Sequence, residues 1–253
     1  MWYHICESRS AYIYAQMTEN RTKRCTERSL SMDANVKSII TKRLERTAEN
    51  LRKNNMEAYI AEDCAEAVKI AEGLMKEGDT ISCGGSVSLA ESGVLDLMKS
   101  GKYNFLDRSQ AKDRDEVEEI YRKTFCADVF LTSSNAVTEN GELYNVDGNS
   151  NRVAAICYGP KSVIFVVGYN KIVRNIDEAV SRVKTCAAPP NSTRLNCGTP
   201  CTVTGECVSL KSGGDMPSGC RCDGRICCNY VVSAQQRHKG RMKVILVKEQ
   251  LGY

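Results

Sequence analysis

The chain reads as an α/β protein with a mixed, mostly parallel sheet flanked by helices, a β-hairpin and a cysteine-rich C-terminal segment. Three observations predict this. Short apolar runs alternate with segments of helical period up to Thr132, which is the signature of a sheet covered on both faces. Asn140-Gly141 then stands between two apolar alternations, a strong hairpin signal. Finally, eight of the 14 cysteines fall between residues 186 and 228.

Each element follows in order. Val36, Ile39, Ile40, Leu44, Ala48 and Leu51 recur every three or four residues, so residues 34–54 form an amphipathic helix ended by Asn54-Asn55. Residues 56–61 (MEAYIA) form a strand. Asp63 caps the next helix, with Glu66 in the capping-box position, and Gly78 stops it. Residues 79–83 are a buried strand leading into Gly84-Gly85-Ser86. Ser88 and Glu91 read as a second capping box on a helix running to Gly101. A strand at 103–106, a charged helix at 113–125 and a strand at 128–132 follow. Beyond the hairpin, residues 163–167 (VIFVV) are a continuous apolar strand and 177–187 are helical. Pro189-Pro190 breaks that helix, and 242–247 form a last strand.

Bulk composition narrows the function. With 35 basic and 31 acidic residues, the charge is too balanced for a nucleic-acid binder, whose basic residues concentrate on one face. No apolar run approaches the ~18 residues of a membrane span, and residues 1–31 carry no signal-peptide core. A cytoplasmic protein is expected, with cysteines reduced or metal-bound. Residues 1–31 show no helical or strand period, so Met32 is the expected natural start and the preceding stretch a spurious or disordered extension. Residues 32–253 then form one α/β domain that includes the cysteine-rich segment 186–228.

Several ordered stretches resemble the LUD (lactate-utilisation) domain family. They are residues 84–93 (GGSVSLAESG), 133–143 (SSNAVTENGEL), 146–154 (VDGNSNRVA), 159–160 (GP), 167–173 (VGYNKIV), 187–191 (AAPPN) and 199–201 (TPC). The resemblance covers roughly residues 33–253. It implies a fold similar to the ribose-5-phosphate isomerase, glucosamine-phosphate deaminase and CoA-transferase superfamily. It also implies a part in lactate or related organic-acid oxidation, beside iron–sulfur redox partner proteins.

Candidate sites fall in three places. The Gly84-Gly85-Ser86 turn, with Ser88, joins a strand to a helix, where free N–H groups can hold a small anionic metabolite; the plain alternative is a tight turn and a cap. Asn135, Glu139, Asp147, Asn151 and Arg152 crowd around the hairpin, where polar density ordinarily means turns. Arg152 has the forked chemistry of a carboxylate clamp, and Glu139 and Asp147 are candidate catalytic acids or bases. Glu139-Asn140-Gly141 also looks like the nucleophile tripeptide of certain CoA transferases, so a CoA-transferase or sugar-phosphate isomerase-like enzyme is the alternative function. Lys171 either faces the same cleft or ends a strand in solvent.

The third place is the cysteine segment. Cys201, Cys207, Cys220 or Cys222, and Cys227 match the family-like pattern, and four soft thiolates suit zinc or an iron–sulfur cluster. Residues 208–219 look inserted between the second and third ligands, which leaves Cys220 and Cys222 as alternatives. Zinc implies a structural clip, consistent with a non-catalytic regulatory or assembly protein; an iron–sulfur cluster implies redox work. Cys83 borders the glycine turn, and Cys64, Cys126 and Cys157 are expected to be buried and inert.

Overall fold

The computed structural model describes residues 32–253; the expected extension at 1–31 lies outside the described residues. Residues 41–253 form one compact unit, whose packing is described below.

A long helix, α1 (Ala34–Lys53), leads into β1 (Glu57–Ala61) and α2 (Cys64–Gly73). Leu44, Thr47, Ala48 and Leu51 are fully buried, as the helical period requires. Asp63 caps α2 by accepting the Glu66 N–H at 2.8 Å. Next come β2 (Thr80–Cys83), α3 (Val87–Glu91), α4 (Val94–Met98), β3 (Asn104–Phe105) and α5 (Arg114–Thr124). Then follow β4 (Val129–Thr132), the hairpin β5 (Ala136–Thr138) and β6 (Leu143–Asp147), α6 (Asn151–Cys157) and β7 (Ser162–Gly168). The C-terminal part holds β8 (Ile172–Val173), α7 (Ile176–Arg182), α8 (Ala188–Arg194), α9 (Pro200–Thr204), α10 (Val208–Lys211), β9 (Asn229–Ser233) and β10 (Met242–Val247).

The main sheet has six strands in the order β1-β10-β7-β4-β2-β3, and every pairing in it is parallel. Its central strands are buried on both faces; Val163 to Val167 are fully covered, as a parallel sheet between helices demands. A second, four-stranded sheet of order β8-β5-β6-β9 mixes parallel and antiparallel pairs. The hairpin aligns Ala136 with Tyr144 and Val137 with Leu143. Its turn glycine, Gly141, has φ 86°, and a Cβ there would meet the Asn50 backbone at 2.6 Å, so α1 packs directly against this turn.

Three local expectations are corrected. The helix expected to run to Gly101 breaks at Gly93, whose φ of 83° is left-handed. Its cap is Ser86, not Ser88. Ser86 is extended and accepts the Leu89 N–H, whereas Ser88 is already helical, buried, and spends its hydroxyl elsewhere. Pro189-Pro190 does not end the helical path. A π-helical turn over Val183–Ala187 delivers both prolines into the first turn of α8, where a missing N–H costs nothing. No described helix is long and apolar enough to cross a membrane.

Candidate functional site

Parallel strands bring their C-terminal ends to one edge, and the segments leaving β2, β4 and β7 meet there. They line a cavity of about 450 Å³ with Gly85, Ser86 and Ser88, with Ser133, Ser134 and Asn135, and with Lys171. Asp147, Asn151, Arg152, Arg108 and Arg194 complete its charged and polar wall. Of the sequence candidates, Ser86, Ser88, Gly85, Asn135, Asn151, Arg152, Lys171 and Asp147 therefore come together; Gly84 and Glu139 are not in the lining.

Gly84 lies just behind the wall. A Cβ there would press on the Arg152 side-chain stem at 2.9 Å, so glycine makes room for that arginine. Arg152 is spent on structure. One terminal nitrogen donates to the Ser133 carbonyl and Asn145 Oδ1, the other to Asn135 Oδ1 and the Val146 carbonyl. Burial pushes its pKa down and Asp147, 4.0 Å away, pushes it back up. The guanidinium, the expected carboxylate clamp, locks the loop after β4 to the end of β6 at the cavity wall. Asp147 is occupied too: its Oδ2 accepts the Arg152 and Val153 N–H groups at 3.1 Å each, anchoring the start of α6.

Glu139 points the other way, toward α1. Its carboxylate accepts from Arg43 Nε at 2.8 Å and from Arg46. Burial pushes its pKa up, but the Arg46 and Arg43 hydrogen bonds outweigh this and hold it below the usual range. The hairpin turn thus carries its carboxylate onto the helix rather than to the cavity, and the tripeptide's geometry is that of a docking contact.

Lys171 is the most unusual group in the wall. It sits in the 3₁₀ turn Tyr169–Lys171 after β7, only 4% exposed. Its Nζ donates to Ser88 Oγ at 2.8 Å and Ser133 Oγ at 3.2 Å. No carboxylate among the described residues forms an ion pair with it. Burial, and then the positive charges of Arg182 and Arg152, bring its pKa from 10.5 to about 7, against a weaker upward pull from Glu91.

Sequence reading missed Arg108, Arg194, Tyr121 and Tyr253. Arg108 stacks over Tyr121 at 5.7 Å, and Arg194 Nε donates to the Tyr253 hydroxyl at 2.8 Å. A Cβ on Gly85 would lie 2.9 Å from an Arg108 terminal nitrogen and 3.9 Å from one of Arg194, so both guanidinium groups flank that glycine. The helix after this turn, α3, has only five residues, so side-chain cations rather than a helix end supply the positive potential. No local motif marks these residues; they converge only through the fold.

The cysteine segment adjoins the same cavity through Cys197 and Ile226. Burial, and then Cys207, Cys201 and Cys220, push the Cys227 thiol up to about 12, so these four sulfurs lie within electrostatic reach of one another. Cys222 Sγ donates to Cys220 Sγ at 3.4 Å and raises it further. Burial raises Cys207, but hydrogen bonds from Ser209 and backbone N–H groups more than offset this and lower it. The Tyr144 hydroxyl, fully buried beside Cys227 and Tyr230, has no hydrogen-bond partner among the described residues. As the chain lies, no three His, Cys, Asp or Glu side chains among the described residues are grouped to hold a metal ion. Cys83 does not line the cavity, and burial pushes its thiol up to about 11. Cys126 and Cys157 are exposed rather than buried.

The family model described as the LUD domain matches residues 44–247. The chain belongs to the LUD-domain family. The match spans both sheets, the cysteine segment and every cavity-lining residue except Tyr253. Among solved structures, the chain is similar to a DUF162 family protein from Deinococcus radiodurans, at 16% identity and a TM-score of 0.45 over 83% of this chain and 98% of that one. It is also similar to a malonate decarboxylase α subunit from Acinetobacter baumannii, at 15% identity and a TM-score of 0.30 over 55% of this chain and 34% of that one. No curated protein matches the chain.

Proposed function

We propose that this LUD-domain protein binds a small organic-acid anion in the strand-end cavity, as a component of lactate or related organic-acid oxidation. The observation that carries this reading is the charge of the wall. Arg108 and Arg194 face one space in which, among the described residues, Asp147 is the single lining side-chain carboxylate, and it already accepts two backbone N–H groups. A cavity of about 450 Å³ suits a small molecule, and charge-assisted hydrogen bonds to a carboxylate are roughly twice as strong as neutral ones. Calorimetric titration with L-lactate, pyruvate and inorganic phosphate tests it. Carboxylate binding that weakens about ten-fold in Arg194→Gln, the loss of one such bond, supports the reading. Preference for phosphate would turn the assignment to the sugar-phosphate alternative, and no binding of any of the three would remove it.

A second reading concerns the cysteines. Cys201, Cys207, Cys227 and either Cys220 or Cys222 would hold zinc or an iron–sulfur cluster. The supporting observation is that Cys207, Cys201 and Cys220 all add to the rise that burial imposes on the Cys227 thiol, a repulsion that a bound cation would relieve. Against it, the sulfurs must still close in, because they are not grouped for coordination as they lie. Elemental analysis of anaerobically purified protein decides: stoichiometric zinc or iron that is lost in Cys227→Ser supports the clip, and metal-free wild-type protein removes it.

A further inference from the structure

Lys171 has a geometry that anion binding alone does not require. A lysine serving only as a counter-charge does best where water or a carboxylate keeps it protonated. This one is nine-tenths buried, touches two neutral hydroxyls, and faces positive groups from two helices: Arg152 on α6 and Arg182 at the end of α7. Arg182 is itself tied to the Asn170 and Asn135 carbonyls, so it cannot swing away. Glu91, on α3, is the acid whose field reaches the amine; its Oε2 accepts the Gly252 N–H instead of pairing with Nζ. A lysine desolvated beside other cations is the arrangement that keeps an amine neutral and nucleophilic. Both of its hydroxyl partners, Ser88 and Ser133, line the cavity with it.

We propose that Lys171 is a reactive amine that forms an imine with the carbonyl carbon of a small 2-oxo acid whose carboxylate is held by Arg108 and Arg194 of the same cavity wall. The proposal rests on the carboxylate-binding reading of the cavity and adds the substrate class and the covalent step. The Nζ lone pair attacks the carbonyl carbon, forming a C–N bond while the C=O π pair moves onto oxygen. A proton passes from nitrogen to that oxygen, giving a carbinolamine. The hydroxyl then takes a second proton and leaves as water while the nitrogen lone pair forms the C=N bond, and the resulting iminium gives up its N–H proton, replacing the one consumed. Amine plus carbonyl become imine plus water, with no oxidant or reductant involved. The Ser88 and Ser133 hydroxyls, at 2.8 and 3.2 Å from Nζ, lie where a proton relay between nitrogen and oxygen is needed.

The test is trapping. Full-length protein is incubated with pyruvate and sodium cyanoborohydride, which reduces an imine to a stable secondary amine, and peptides are mapped by mass spectrometry. The expected result is a reduced pyruvate adduct on Lys171, at least about ten-fold above any other lysine at neutral pH, because exposed lysines stay almost fully protonated there. Labelling should rise with a midpoint near pH 7, and should vanish from this peptide in Lys171→Met. Adducts spread over surface lysines, or an unmodified Lys171, overturn the proposal. Calorimetry on the same sample separates the two levels. If pyruvate binds but leaves Lys171 unmodified, the imine fails and the anion-site reading stands; if pyruvate does not bind, both fail. Wild-type mapping suffices even if the Lys171→Met protein misfolds.

Discussion

The strand-end cavity and the cysteine segment share a border at Cys197 and Ile226, yet they are held together in opposite ways. In the cavity, polar groups are locked by partners: Arg152 alone makes four hydrogen bonds to two segments, the loop after β4 and β6, and Asp147 anchors a helix. In the cysteine segment, short helices and turns carry the thiols, Arg225 ties the Pro217, Cys220 and Cys227 carbonyls, Cys207, Cys201 and Cys220 raise the buried Cys227 thiol, and the buried Tyr144 hydroxyl has no hydrogen-bond partner among the described residues. The cavity is organised by hydrogen bonds between segments distant in the chain, whereas the cysteine segment is tied by bonds between residues close in sequence.

The largest test of that contrast is Arg152→Ala. It leaves buried acceptors unmet in two segments, the loop after β4 and β6, and should cost about 3–5 kcal/mol of unfolding free energy, read by denaturant titration. In metal-free protein, Cys201→Ser should cost less than about 1 kcal/mol. Equal losses from the two would sink the distinction.

Lys171 supplies the next effect. Its folded pKa of about 7 lies below the ordinary 10.5, so between these values the unfolded chain binds the extra proton. Stability should therefore rise with pH across that window, by at most about 1.4 kcal/mol per pH unit for one proton. Below pH 7 the buried charge is a full burden, which Lys171→Met should remove. Thermal melts across pH, compared between wild type and Lys171→Met, show whether this slope belongs to Lys171.

A smaller loss is expected at the hairpin. Glu139→Gln weakens the contacts with Arg43 and Arg46, which are partly exposed, and should cost about 1 kcal/mol while leaving carboxylate affinity unchanged. A fall in affinity measured by calorimetry would place Glu139 in the ligand site after all. The smallest change is Gly85→Ala. Its Cβ displaces only the flexible end of Arg108, so stability should move by less than about 0.5 kcal/mol while anion affinity drops several-fold.

Much of the sheet was legible. Residues 128–132, 163–167 and 242–247 are apolar runs that only a covered strand accommodates, and each is a central strand. Asn140-Gly141 announced its hairpin, and Asp63 its helix cap. The strand β9, pairing with β6 from Leu143–Ser233 to Asp147–Asn229, was not legible, because it follows the cysteines without a clean alternation. The prolines of α8 misled because a π-helical turn changes their place from helix interior to first turn. In the cavity, Lys171 and Ser88 could be nominated from nearby motifs, but Arg108 and Arg194 could not. They stand 86 positions apart in the numbering, and a stacked Tyr121 and a terminal Tyr253 hold them in place.

Amino-acid order alone settled the local grammar: which stretches are apolar enough to be strands, where helices are capped, where a hairpin turns and which segment concentrates sulfur. It could do so because periodicity, caps and turn residues act over a few positions. Tertiary structure alone decided that Arg152 bonds the loop after β4 and the end of β6, that Glu139 pairs with Arg43 and Arg46, that Lys171 is buried with no ion-pair partner among the described residues, and that two unannounced arginines flank Gly85. Those outcomes depend on burial and on charges brought together by parallel strands ending at one edge, and desolvation and Coulomb energy act through space rather than along the chain.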